Sequence, residues 1–243
     1  MLQNLFKNMG PITKNLLIIN VLFFIATLVF ESRGIDLTKI LGMHYPSSQY
    51  FEPYQIVTHV FMHGGGRHLF LNMLGLIFLG PQLERFWGAK KFLTFYLVSA
   101  FGAILINYGV QGFALFMATG EFFPDLIITQ INYSTGIVNY ETGLLSGTSV
   151  VISTYIPSLV GASGAIFGLI AAYGVLFPNT EFRIYFLIPV KAKWVAIGSA
   201  LYAIYSGFSP MMDDNTAHFA HLGGMIFGFI LITIWKRSRN QFY

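Results

Sequence analysis

The chain contains no cysteine, which excludes disulfides, a thiol nucleophile and a thiolate metal site. Charge is nearly as scarce. Charged residues make up 10% of the 243 positions, against roughly 25% in a soluble globular domain. That shortage, with 55% hydrophobic residues and a mean hydropathy of +0.63, leaves a polytopic membrane protein as the expected class. The formal net charge is only +4, so nucleic acid is not an expected partner. The opening "MLQNLFKNMGPITKN" leads into an apolar run with no small-residue cleavage site, so a cleavable signal is not expected. Lysine and arginine are absent from residues 119–157.

Six apolar segments stand out, at about 15–30, 67–83, 92–118, 158–177, 193–208 and 217–235. Several are shorter than the ~20 residues of a lone transmembrane helix, which packing within a bundle makes tolerable. With the N-terminus on the cytoplasmic side, the inner segments hold 11 of the 14 basic residues and the outer ones hold Arg33, Lys39 and Arg67. Eight of the ten acids fall outside. This asymmetry predicts six spans with both termini cytoplasmic. The long outer segments 31–66 and 119–157 are expected to carry folded elements of their own. The expected fold is an all-α six-helix membrane bundle forming one domain.

Polar residues gather at one depth. The fourth span opens with "GASGAIFG", containing Ser163; the sixth with "TAHFAHLGGMIFG", containing His218 and His221; the second with "GGGRHLFLNMLG", containing His68 and Asn72. Ser163 to Phe177, His221 to Trp235 and Asn72 to Phe86 are each 14 residues, or about 21 Å of helix from the inner boundary. Taken singly, a serine between glycines is a packing residue, a histidine at a helix end faces headgroups, and His68 with Asn72 makes an interhelical hydrogen bond. Together at one depth they suggest chemistry, because polar groups inside a membrane are costly.

Glycines choose between the histidines. Gly224 and Gly228 form a small-residue stripe suited to close helix packing, matched by Gly164, Gly168 and Ala172 on the fourth span. On a helical wheel His221 lies about 20–60° from that stripe and His218 about 80–120°. Packing the stripes together sets His221 beside Ser163, a nucleophile with its general base. The spans carrying them offer no carboxylate, so the expected unit is a dyad. His68, Asn72 and the Ser163 backbone N–H at a helix N-terminus are the expected oxyanion donors.

These residues resemble the rhomboid family of intramembrane serine proteases over about residues 50–110 and 158–235. Gly161-Ala162-Ser163-Gly164 matches the family's nucleophile motif, and Ala220-His221 followed by Gly224 and Gly228 matches its histidine motif. The resemblance implies Ser163 as nucleophile, His221 as base, and His68 and Asn72 as oxyanion stabilisers. It implies His59 and His63 as part of a hydrogen-bonded network and water supply, and Glu84 as a structural acid at the inner end. It also implies no cofactor, single-span membrane proteins as substrates, and a place in the lipid bilayer of a bacterial cytoplasmic membrane with the site opening outward. Two positions depart from the pattern. Tyr54-Gln55 stands where many members of that family have a tryptophan-arginine pair that anchors the first outer loop. Phe167 stands where some members have a tyrosine that stacks on the catalytic histidine, an arrangement that needs the ring and not the hydroxyl.

Two rival readings remain open on the residues. His59 and His63, spaced i, i+4, would chelate a metal if helical, although no HExxH sequence occurs. An inactive binding relative would lack the serine or the histidine, and both are present. Substrate entry is expected where span five and the loop "SGFSPMMDDNTAH" act as a movable cap, with Met211 and Met212 over the site and Trp194 and Tyr205 as holding contacts.

Overall fold

A computed structural model describes residues 9–124, 128–132, 137–140, 143–146, 158–184, 188–208 and 218–239. The chain forms α1 (Pro11–Glu31), α2 (Leu37–Leu41), α3 (Gln55–Thr58), a 3-10 turn (His59–Phe61), α4 (Gly66–Trp87) and α5 (Ala89–Thr119). It continues with β1 (Ile128–Asn132), β2 (Ile137–Tyr140), β3 (Gly143–Ser146), α6 (Ser163–Leu176), β4 (Glu181–Ile184), β5 (Ile188–Lys191), α7 (Ala192–Phe208) and α8 (His218–Arg239). Each of the six apolar segments is therefore built on a helix. Among the described residues, α1, α5 and α8 from His218 to Lys236 are long and apolar enough to cross a membrane, and α6 is a shorter apolar helix.

The fold is helical but not purely so, which corrects the all-α expectation. Strands β1, β2 and β3 form an antiparallel meander within the 119–157 segment, and β4 pairs with β5 between α6 and α7. Isoleucine, valine and tyrosine favour strands, and in a membrane protein they are hard to distinguish by sequence from lipid-facing apolar residues. The segment expected to begin the fourth helix at residue 158 also differs. Residues 158–162 are extended or turning, with Leu159 bridged to Met43, and the helix starts only at Ser163.

The centre of the molecule is α5, α6 and α8, packed through small residues. A Cβ on Gly102 would fall 2.2 Å from the Phe227 ring, one on Gly164 would fall 2.4 Å from Ala103 Cβ, and one on Gly168 would fall 2.3 Å from Ser99 Oγ. The stripe on α8 does meet that on α6: a Cβ on Gly228 would lie 3.2 Å from the Gly168 Cα. Around this triad lie fully buried Leu76, Leu83, Phe92, Phe95, Tyr96 and Leu169.

Helix α1 buries a polar face, Thr13, Asn20 and Thr27 with Leu16, and turns its apolar residues outward. Its first turn carries no acid of its own. Glu84, buried at the inner end of α4, accepts the N–H of Ile12 (2.9 Å), the N–H of Thr13 (2.8 Å) and the Thr13 hydroxyl (2.7 Å). A carboxylate at a helix N-terminus satisfies free donors and complements the dipole, which gives Glu84 a structural task.

Helix α7 packs on α6 and α8 and buries Ala192, Ala203 and Ser206. Trp194 and Tyr205, expected to hold this helix in place, are instead 57% and 68% exposed. The close approaches come from Gly174 against Ala196 and from Gly207 against the Phe219 ring. Met211 and Met212 of the expected cap lie outside the described residues.

Candidate active site

Ser163 stands at the first turn of α6, after Gly161, whose φ of +119° is a conformation that L side chains rarely adopt. The Gly161 N–H donates to the His59 carbonyl at 2.9 Å. A Cβ at Gly161 would come within 2.8 Å of His68 Cε1 and Nε2, so only glycine lets this peptide lie against that ring. The sharp entry aims the Ser163 hydroxyl toward α8, where His221 Nε2 is 3.0 Å from Ser163 Oγ. The hydroxyl is the donor when that nitrogen carries no proton. The Phe167 ring lies flat against the His221 ring, with centroids 4.0 Å apart and 3° between planes. The ring at this position thus stacks on the histidine without needing a hydroxyl. The close approach of the glycine stripes places His221 here, while His218 sits a turn away, buried, with its ring edge-on to His221 at 6.1 Å.

On α4, His68 Nδ1 accepts the Gly64 N–H at 3.4 Å, which puts the ring proton on Nε2, the side facing Gly161. Asn72 is buried and uses its amide to donate to the His68 carbonyl at 3.1 Å. One amide hydrogen is committed there, and the second is available to a neighbour. A small cavity of about 10 Å³ borders Ser163, Gly164, Gly161, Val160 and His59, room for about one water molecule.

His59 and His63 do not form a helical i, i+4 pair. The 3-10 turn ends at Phe61, and Met62 is extended at ψ 149°. His59 Nδ1 donates to the Gln55 carbonyl at 2.9 Å, and His63 sits edge-on to His68, centroids 5.2 Å apart. Burial lowers His59 to about 4. Burial, and then the neighbouring His68, lowers His63 to about 4. Both rings are neutral at physiological pH. Among the described residues no group of three or more histidines and carboxylates gathers as a metal site.

The first outer loop has an anchor that the sequence reading missed. Gln55, 1% exposed, accepts the N–H groups of His44 (3.2 Å) and Glu52 (3.1 Å) through Oε1. It donates to the carbonyls of Ile40 (3.1 Å) and Tyr50 (3.0 Å) through Nε2. One amide side chain, both donor and acceptor, fastens four backbone groups of the loop. From there the connection to the site is short, through the Gln55 carbonyl to His59 and the His59 carbonyl to Gly161. Also missed were Ser99, Gly102 and Ala103 of α5, which close the bundle behind Ser163; their small size was the available signal.

Comparison with known proteins places these features in a family. The sequence pattern of the rhomboid domain matches residues 50–238. The chain is 26% identical over 188 residues to Rhomboid protease GlpG of Yersinia pestis (strain Pestoides F), covering 71% of this chain and 65% of that protein. The protein of the same name in Yersinia pseudotuberculosis (strain IP32953) gives the same figures. RHOMBOID-like protein 1 of Arabidopsis thaliana is 27% identical over 207 residues, 85% of this chain and 39% of the relative. The chain thus spans less than two thirds of the length of these relatives. With the domain pattern running through most of its 243 residues and through every element that frames Ser163 and His221, the chain belongs to the rhomboid family.

Proposed function

We propose that the chain is an intramembrane serine endopeptidase in which Ser163 is the nucleophile and His221 the general base. The observation carrying this reading is the 3.0 Å approach of Ser163 Oγ and His221 Nε2 beneath the flat Phe167 ring. The Ser163 oxygen attacks the substrate carbonyl carbon as its proton passes to His221 Nε2. The resulting oxyanion is met by the His68 Nε2–H, the remaining Asn72 amide hydrogen and the Ser163 N–H, each such donor being worth about 2.7–4 kcal/mol in the transition state. His221 then protonates the leaving amine. A water molecule, for which the cavity beside His59 has room, attacks the acyl carbon as His221 takes its proton, and His221 returns a proton to Ser163 Oγ as the ester bond breaks and the acid product leaves. No cofactor enters this scheme.

In this reading the six long helices are six spans with both termini cytoplasmic, consistent with the basic residues at the inner ends. The site then opens outward, and the substrate class is the transmembrane or juxtamembrane segment of single-span membrane proteins. Entry past α7 is supported by its sparse burial and by its packing on α6 and α8 rather than α4.

The test is incubation of the purified chain with a panel of single-span model substrates. Wild type cleaves, Ser163→Ala and His221→Ala do not, and a fluorophosphonate labels Ser163 only when His221 is intact. EDTA leaves the activity unchanged. Full cleavage by either variant would remove the dyad, and loss in EDTA reversed by zinc would replace it with a metal mechanism.

A further inference from the structure

The dyad explains Phe167 but not His218, which is 5% exposed and lies one turn before His221 at the start of α8. Its ring is in contact on two sides. It stands at 85° to His221 with centroids 6.1 Å apart, and at 82° to Tyr202 of α7 with centroids 5.7 Å apart. Edge-to-face arrangements of this kind are directional as well as cohesive. A second ring pair, Phe208 with Phe219 at 5.2 Å and 85°, joins the same helices just outside it, where the missing side chain of Gly207 admits the Phe219 ring.

We propose that His218 is a positioning residue that couples α7 to the catalytic histidine through the ring series Tyr202, His218 and His221. This rests on the assignment of Ser163 and His221 as the dyad. Phe167 restrains His221 against tilting out of its plane, and His218 limits its swing at one edge. Because His218 also touches Tyr202, the outer half of α7 has to be seated for that edge to be supported. An entering transmembrane segment that displaces α7 takes Tyr202 from His218 and loosens the base, and chemistry proceeds once α7 has returned. Cleavage is thereby limited to substrates that allow the helix to close behind them. The contact acts on the chemical step, since small displacements of a catalytic group cost rate steeply.

The experiment compares His218→Ala, His218→Phe, Tyr202→Ala and Tyr202→Phe with wild type, using the full chain in proteoliposomes and one single-span substrate. Tyr205→Ala, which alters an outward-facing residue on the same helix, is the control. The kcat and KM are read separately, together with the rate at which a small fluorophosphonate labels Ser163. His218→Ala and Tyr202→Ala should lower kcat about tenfold with KM little changed, and labelling should slow in parallel. His218→Phe and Tyr202→Phe should stay within about twofold of wild type, because aromatic packing is retained. Tyr205→Ala should match wild type. Equal loss in His218→Ala and His218→Phe, or a rise in kcat in Tyr202→Ala, overturns the coupling. If His218→Ala does not fold, the Tyr202 pair decides on the same criteria. Fluorophosphonate labelling of wild type that persists in Ser163→Ala would instead overturn the dyad itself.

Discussion

The carbonyl oxygen of Gly164 lies 1.9 Å from where a Cβ on Gly224 would be. The obstacle is backbone, which cannot step aside like a side-chain end. Gly224→Ala should therefore separate α6 from α8 and cost at least the roughly 1–3 kcal/mol of core overpacking, with Gly224→Val worse. Gly198 on α7, with nothing within 4 Å of its would-be Cβ, is the matched control and should accept alanine. Thermal unfolding in detergent and cleavage rate both report the difference; equal melting temperatures for the two alanine variants would mean the helices do not cross this closely.

Gln55→Ala should unfasten the first outer loop. It removes the partner of the N–H groups of His44 and Glu52 and of the carbonyls of Ile40 and Tyr50; the His44 bond is buried and the other three partly so, and an unsatisfied buried group costs about 1–3 kcal/mol. Relaxation and water entry should reduce the sum to a few kcal/mol. Gln55→Arg, which restores half of the usual family pair, should fail as well. A guanidinium only donates and cannot accept from His44 and Glu52. Wild-type stability in Gln55→Arg would show that the loop can rearrange its bonding.

Stability should fall with acid through the outer histidines. His59 and His63 have folded-state values of about 4, below the ordinary 6.5, so the unfolded chain binds more protons between those values. Stability is therefore fully present above about pH 6.5 and is lost as pH falls toward 4, at up to about 1.4 kcal/mol per pH unit for each ring. His63→Phe keeps a ring in place but removes one titrating group. Its melting temperature, followed from pH 7.5 to 4.5 in a Ser163→Ala background, should fall less steeply than that of the parent. Parallel slopes would count against a buried neutral His63.

Glu84→Gln should destabilise the inner end of the bundle by about 2 kcal/mol, because charge-assisted hydrogen bonds give way to weaker ones and the amide turns a donor toward a donor. Glu84→Ala should be worse. Coupling to Thr13→Val, measured as a double-mutant cycle, separates the hydroxyl's share. Additive effects would show that the Thr13 side chain does not feel the carboxylate.

The candidate site was legible because its signals are polar residues and small residues, which stand out in an apolar chain. Counting residues along three helices put Ser163, His221 and Asn72 at one depth, and the glycine stripe chose His221 over His218. Sequence carries less where lipid and core are equally apolar. Leu201 and Ala203 are both apolar, yet one faces outward at 61% exposure and the other is buried. Helix α1 reverses the usual pattern by burying Thr13 and Asn20. The β4–β5 hairpin was hidden because Arg183 and Lys191 mark that stretch only as a basic inner connection. The anchoring by Gln55 has no sequence signature because its four partners are backbone groups, and the ring contacts of His218 have none because a wheel measures direction but not the approach of α7.

Both ends of the 119–157 segment are fastened to the first outer loop. The Tyr45 hydroxyl donates to the Phe122 carbonyl at 2.7 Å, and on the far side Ser158 Oγ donates to the Thr38 carbonyl while Leu159 and Met43 exchange backbone bonds of 2.9 and 2.7 Å. A tether clamped at both feet passes little of its own length change to what lies beyond the clamps, and the entropy of closing a longer loop grows only slowly. The stretch between Phe122 and Ser158 is thus a socket in the scaffold. Ancestry or an engineer could lengthen it, or graft a recognition module into it, without moving the glycine that turns the chain into Ser163.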